Sequence, residues 1–465
     1  MEGRPPPDGD DLFEWTDAPA RPPAPSDEPG TGERDRPGTG ERDRIDTGER
    51  DRVGTGERAR VEPSPASSPD TAERQRIRGD TGEFERSGRR PPPGRRARRR
   101  DLPARVRRRQ DLTVGAVAIA LVVILIVLIS GGGSSTPTPI PLKKLVGQTI
   151  VAKLGAKGPD QALIKRVRHG QVGGVIAFPS DPKKLKADVQ QLQAAAHAGG
   201  NPGLLVMIDQ EGGSVKRLKS GPPDISPADL GKSGDETQSK DQGQKTGSYL
   251  RGLGVNVDLA PVLDVSQPQT ANTIKARTFG SNPDTVARVG VAFAEGLQAG
   301  GAVATAKHFP GLGRATVNTD QQPVTVAATS AQLQNDLVPF KAAVDAGVRL
   351  VMISTASYPT LGARKPAAFS PTIIKTLLRG RLGFDGVTIT DDLESPAVTS
   401  TLPPVVAATG ALKAGNDMLL YAQNANASDQ AFGSLVREVK NGQLDRSVVQ
   451  AAYDRITSLK DSPTG

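Results

Sequence analysis

Residues 301–313 read GAVATAKHFPGLG, and this stretch decides the fold. From 302 to 308 the chain is small or apolar until it reaches Lys307 and His308, the pattern of a buried strand that ends in charge. A helical pattern precedes it at 283–299 and another follows at 330–346. A strand without polar alternation, set between helices, is buried on both faces, as in a parallel sheet.

The same unit repeats outward in both directions. Further strand candidates are 174–178, 204–208, 255–262, 350–354, 387–390 and 417–421. Helical patterns also lie at 185–198, 239–252, 370–382 and 403–414, with two closing helices at 428–441 and 445–459. Seven or more such units in one domain predict an α/β fold, a TIM-type (β/α)8 barrel, rather than an open doubly wound sheet. No G-x-G-x-x-G follows an early strand, which argues against dinucleotide binding.

Polar residues gather where these strands end. Asp209-Gln210-Glu211-Gly212-Gly213 follows LLVMI, Asp264 closes VDLAPVLDV, Lys307-His308 ends AVATA, and Asp391-Asp392 ends GVTIT. Any one has a dull explanation, since a carboxylate after a strand can cap the next helix and Gly-Gly can merely turn the chain. Four at equivalent positions converge on one barrel face, the active face in this architecture.

The N-terminal part of the 465 residues is different material. Hydrophobic residues make up 36% of the chain and aromatics only 3%, and the deficit is local, with no lysine before Lys143. TGERDR recurs at Thr31, Thr39 and Thr47, and TGERAR follows at Thr55. These units carry balanced charge and almost no apolar side chain, so residues 1–111 are expected to be a disordered cytoplasmic arm. Residues 112–129 read LTVGAVAIALVVILIVLI, without a charge. At 1.5 Å per residue the run spans about 27 Å, so 112–130 is expected to be a transmembrane signal anchor. The arginine cluster RRPPPGRRARRRDLPARVRRR precedes the run. Positive charge stays inside, which predicts a single-pass protein of the cell membrane with a cytoplasmic N-terminus. Residues 131–142 form the linker and 143–465 the extracytoplasmic barrel domain. Membrane lipid is then a partner through the span and the Arg cluster. Nucleic acid is not expected, because the basic residues lack interleaved aromatics and abut the span. With no cysteine and three histidines, disulfides and zinc–thiolate sites are excluded and no cofactor is implied.

Five ordered motifs carry a resemblance: DQEGGSVKRL at 209–218, LAPVLDV at 259–265, ARTFG at 276–280, KHFPGLG at 307–313 and ITDDL at 389–393. Together they resemble glycoside hydrolase family 3, and within it the single-domain bacterial β-N-acetylhexosaminidases of cell-wall recycling. The resemblance runs from about residue 145 to 460. It implies a TIM-type barrel, a carbohydrate substrate, and retention of configuration through a covalent glycosyl–enzyme. By the same resemblance Asp391 matches the nucleophile, with Asp392 as the fallback, and Asp209, Arg217, Arg277, Lys307 and His308 match the residues that hold the sugar hydroxyls. That set makes chemical sense by itself, since a carboxylate and cationic donors can grip vicinal hydroxyls with charge-assisted bonds.

One loop departs from the pattern. Active single-domain relatives read KHFPGHG and then Asp-Ser-His, whose histidine protonates the leaving oxygen. Here the loop reads KHFPGLGRATVNTDQQ, so Leu312 replaces the first histidine and Asn318, Thr319 and Asp320 stand where Asp-Ser-His is expected. Two readings follow. In one, the chain is a divergent glycosidase in which Asp320, a carboxyl with raised pKa, serves as the acid. In the other, it is a catalytically impaired sugar-binding protein.

Overall fold

Eight parallel strands run around a closed ring. They are β1 (Ile150–Leu154), β2 (Gly174–Ala177), β3 (Leu205–Ile208), β6 (Val257–Asp258), β7 (Val303–Phe309), β8 (Leu350–Ile353), β11 (Val387–Thr390) and β12 (Leu419–Leu420). Between them lie two antiparallel hairpins, β4 (Gln210–Gly212) with β5 (Val215–Lys216), and β9 (Ser357–Tyr358) with β10 (Ala363–Pro366). The sheet order is β11-β8-β7-β6-β3-β2-β1-β12. Its two ends meet where Thr390 N donates to Met418 O at 3.0 Å and Met418 N to Thr388 O at 2.9 Å. The computed structural model from which this is taken describes residues 139–179 and 181–462. The arrangement is consistent with a (β/α)8 barrel.

Burial explains why these short runs become strands. Val151, Ile176, Met207, Val257, Leu350, Met352 and Ile389 form one apolar cluster, which Ile456 and Leu459 of the last helix join. Alternate residues of the same strands, such as Ala152, Val175, Val206 and Ile208, join a separate cluster with the helices outside. Every residue of β2, β3, β7, β8 and β11 is buried, which is why β2, β3 and β8 are wholly apolar and β11 carries no charge.

All seven strand candidates contain a strand, although 255–262 and 417–421 shrink to two residues each. Sequence reading missed β1, whose apolar run is broken by Lys153, and the helices Leu142–Gln148 and Gln161–Arg168 that flank it. The helix expected at 370–382 is a π-helix over Thr372–Arg381. Helices Glu236–Gly252 and Pro283–Ala299 lie against each other backbone to backbone. A Cβ on Gly243 would stand 2.2 Å from Phe293 O, and one on Gly296 would stand 2.1 Å from Lys240 O.

The membrane expectation has to be corrected. Among the described residues no helix is long and apolar enough to cross a membrane. The stretch 112–130 named as an anchor lies outside the described residues, as do the arm 1–111 and most of the linker. Single-pass anchoring and the cell-membrane localisation are therefore withdrawn, and nothing in the described residues shows lipid binding. The error was to let an apolar run and its charged flank stand for a span, when both are composition signals.

Candidate active site

The carboxyl ends of the strands surround a pocket of about 730 Å³. Asp209, Arg217, Arg277, Lys307, His308, Asp320, Asp391 and Asp392 all line it, whereas the strand-end acids Glu211 and Asp264 do not. Leu312, Asn318 and Thr319 line it as well.

One wall is a chain of alternating charges. Asp209 follows β3, and its Oδ2 accepts from Arg217 Nη2 at 3.0 Å while its Oδ1 accepts from Lys307 Nζ at 3.0 Å. Lys307 Nζ also lies 2.6 Å from Glu211 Oε1. Glu211 in turn accepts from Arg277 at both oxygens, from Nε at 2.8 Å and from Nη2 at 2.6 Å. Such bidentate pairs fix direction as well as distance. Burial pushes the carboxyls of Asp209 and Glu211 up, but the cations outweigh it and hold both below the usual carboxylate range. Burial likewise works against the Lys307 ammonium, and Glu211 and Asp209 reverse it. At the rim the Arg217 guanidinium lies 5.1 Å from the centre of the Phe178 ring.

Sequence reading placed Glu211 within the strand-end acids after β3 but gave it no role. Its signal was there: Arg277 and Lys307 are two cations, and one aspartate does not answer both. Asp258 on β6 was also missed. It is fully buried, accepts from Gln210 N at 3.0 Å through Oδ1, and has no partner for Oδ2. Burial raises its pKa to about 8, so the carboxyl is neutral at pH 7.

Lys307 and His308 are joined by a cis peptide bond. His308 is 5% exposed and its Nδ1 lies 2.7 Å from Asp264 Oδ2. Asp264 Oδ1 accepts from the backbone N–H groups of His308, at 3.2 Å, and Leu312, at 2.6 Å.

The adjacent acids after β11 have different surroundings. Asp392 is buried and both its oxygens are occupied: Oδ1 accepts from Glu394 N at 3.0 Å and Ala422 N at 3.2 Å, and Oδ2 from Gln423 Nε2 at 2.8 Å. Burial raises its pKa to about 6. Asp391 lines the pocket and accepts a single hydrogen bond among the described residues, from Asp392 N to Oδ1 at 2.8 Å, which leaves Oδ2 without a partner there. Asp392 braces the loop, and Asp391 has an oxygen to spare.

The opposite wall is the loop after β7. It is held mainly through backbone: Ala271 N donates to Ala315 O at 2.9 Å, Ala397 N to Thr319 O at 3.2 Å, and Val326 N to Ser357 O at 2.9 Å. Thr270 Oγ1 donates to Gly313 O. Arg314 Nε reaches Asp336 Oδ2 at 2.6 Å on the outer side. Leu312 is 2% exposed and joins the hydrophobic core, a place where a histidine would bring a polar ring. Asp320 is exposed at the rim, and its Oδ2 accepts from Asn318 Nδ2 at 3.2 Å. Although the residue is exposed, neighbouring groups partly desolvate its carboxyl, and this together with the nearby Asp391 charge raises its pKa.

Among the described residues no group of three or more metal-ligating side chains could hold an ion. The arrangement offers a free carboxylate, a second carboxyl biased toward its protonated form, and a fixed set of charged hydrogen-bonding groups.

Comparison with known proteins accords with this geometry. Residues 143–459 match the Glycosyl hydrolase family 3 N terminal domain. A protein named Beta-hexosaminidase from Nitrosospira multiformis is 34% identical over 279 residues, 58% of this chain and 79% of that protein. A crystal structure of Beta-N-acetylhexosaminidase from Beutenbergia cavernae superposes with a TM-score of 0.65 at 33% identity, covering 70% of this chain and 99% of that one. A glycoside hydrolase family 3 beta-N-acetylglucosaminidase from Paenibacillus gives a TM-score of 0.67 at 32% identity, over 69% of this chain but only 62% of that one.

Proposed function

The chain belongs to glycosyl hydrolase family 3 and is a glycosidase of beta-hexosaminidase type; from that premise we propose that it hydrolyses β-linked N-acetylhexosaminides with retention, using Asp391 as nucleophile. Fragments of cell-wall glycan are the substrate class we assign, in keeping with the relatives that the motifs resemble.

The observation that carries this reading is the contrast between Asp391 and Asp392. A nucleophile needs an unoccupied oxygen facing the substrate, and Asp391 has one while Asp392 has none. In the proposed first step Asp391 Oδ2 bonds to the anomeric carbon as the glycosidic bond breaks, and Asp320 gives its proton to the leaving oxygen. In the second, Asp320 takes a proton from water, the water oxygen bonds to the anomeric carbon, and Asp391 leaves. The raised pKa of Asp320 suits a group that must begin protonated and end as a base. Asp209, Arg217, Arg277, Lys307 and His308 hold the sugar against this pair.

A 5-fluoro-N-acetylhexosaminide with a good leaving group, its 2-acetamido group intact, tests the assignment. It should inactivate the enzyme and leave its sugar on the peptide carrying Asp391. A label on Asp392, or turnover with no label at all, overturns it.

A further inference from the structure

We propose that Asp264 is a positioning residue that acts through His308, fixing which ring nitrogen His308 presents to the sugar and tying that ring to the start of the Asp320 loop. The inference rests on His308 being a sugar contact, as proposed above.

Three donors meet this one buried carboxylate. The His308 ring reaches Oδ2, and the backbone N–H groups of His308 and Leu312 share Oδ1. Asp264 is 0% exposed, so burial favours its neutral form. His308 and the two backbone bonds overcome that preference and hold its pKa below the ordinary value. An ionised carboxylate only accepts, so Nδ1 must carry the hydrogen. Nε2, without a partner among the described residues, is then the nitrogen left for the pocket, where in the neutral ring it accepts a hydrogen bond from a sugar hydroxyl. The Leu312 bond adds a second consequence. The Leu312 backbone N–H fastens the loop to the same carboxylate that orients His308.

The test uses the full chain labelled with nitrogen-15. The protein has three histidines, so a His308→Gln variant identifies the His308 ring signals by their loss. The wild type should show the Nδ1–H tautomer at His308. In Asp264→Asn the amide oxygen keeps the two backbone donors and the NH₂ group faces Nδ1, so the ring should switch to Nε2–H. Its KM should rise about tenfold, with kcat changed less, as for one lost hydrogen bond to substrate. In the His308→Gln background the same substitution should change KM by less than about twofold, since its route to the sugar is gone. A wild-type ring in the Nε2–H form overturns the inference without any variant having to fold. So does a tautomer unchanged in Asp264→Asn, or effects of the two substitutions that multiply in full. A correct wild-type tautomer with an unaltered KM in His308→Gln would instead sink the sugar-contact reading, which keeps the two failures apart.

Discussion

The two walls of the pocket are built on opposite plans. On one side, Arg217, Asp209, Lys307, Glu211 and Arg277 bind one another side chain to side chain. On the other, the loop that carries Asp320 is fastened by backbone groups and by an Arg314–Asp336 pair that does not line the cavity. Where side chains answer each other, changing one leaves a buried charge uncompensated, so their identities are locked together. Where the backbone does the fastening, side chains can change while the loop keeps its path. That is how Leu312 can sit in the core and Asn318-Thr319-Asp320 can replace the expected triad without releasing the loop.

Four substitutions would sharpen or break this contrast. The largest effect belongs to Asp391→Ala, which should reduce turnover of every substrate to the uncatalysed background, measured with an activated aryl glycoside. Measurable turnover would show that the free carboxylate is not the attacking group. Next comes Asp320→Asn on the backbone-held wall. Hydrolysis of glycosides with poor leaving groups should fall by about 10²-fold or more, while bond cleavage in activated aryl glycosides is spared. The pH profile supplies the sign. Asp320 acts while protonated, and its raised pKa keeps it protonated to higher pH than an ordinary aspartate. Wild-type activity should therefore decline as pH rises through that value, and the variant should lose this limb.

Glu211→Gln tests the locked wall. It leaves Arg277 and Lys307 short of one buried counter-charge, which should destabilise the fold by about 3 kcal/mol in denaturant titration and raise KM about tenfold. A silent variant would mean that the alternating chain is ornamental. The smallest effect on turnover is expected for Asp258→Asn, less than about twofold at pH 7 because the native carboxyl is already neutral. Stability is where it should show. With a folded pKa of about 8, Asp258 is protonated in the folded protein and ionised in the unfolded chain between roughly pH 4 and 8. Wild-type stability from this group is complete below pH 4 and is lost as pH rises to 8. The asparagine variant should gain on the wild type across that window and show no gain below pH 4.

What was legible in the sequence follows the same division. Strands buried on both faces announce themselves, because nothing polar interrupts LVMI and nothing charged interrupts VTIT. Strand β1 hid behind Lys153, whose Nζ lies 5.6 Å from the centre of the Phe178 ring and reaches Gln423 O at 3.0 Å, a contact 270 residues away in the chain. Asp209, Lys307 and His308 could be found because they end strands. Glu211, one residue beyond Gln210, could be found only by asking which anion answers two cations. Asp264 was visible as a strand-end acid, but its three donors come from a later segment and converge only in the folded barrel. The sequence also overreached at its other end, where the apolar run at 112–129 was taken for a membrane span.

The glycine-lined contact between helices Glu236–Gly252 and Pro283–Ala299 has a consequence for anyone wishing to make this enzyme more robust. Replacing a helical glycine by alanine is a standard stabilising change, worth up to about 1 kcal/mol, because it removes freedom from the unfolded chain. At Gly243, Gly247 and Gly296 the added methyl would stand 2.2, 2.4 and 2.1 Å from a carbonyl oxygen of the neighbouring helix. The rule changes sign there. An engineering campaign guided by helix propensity alone would choose these positions early and drive apart the two helices behind β6 and β7. Gly252, whose added Cβ would meet nothing within 4 Å, is the position in the same helix where that strategy is open.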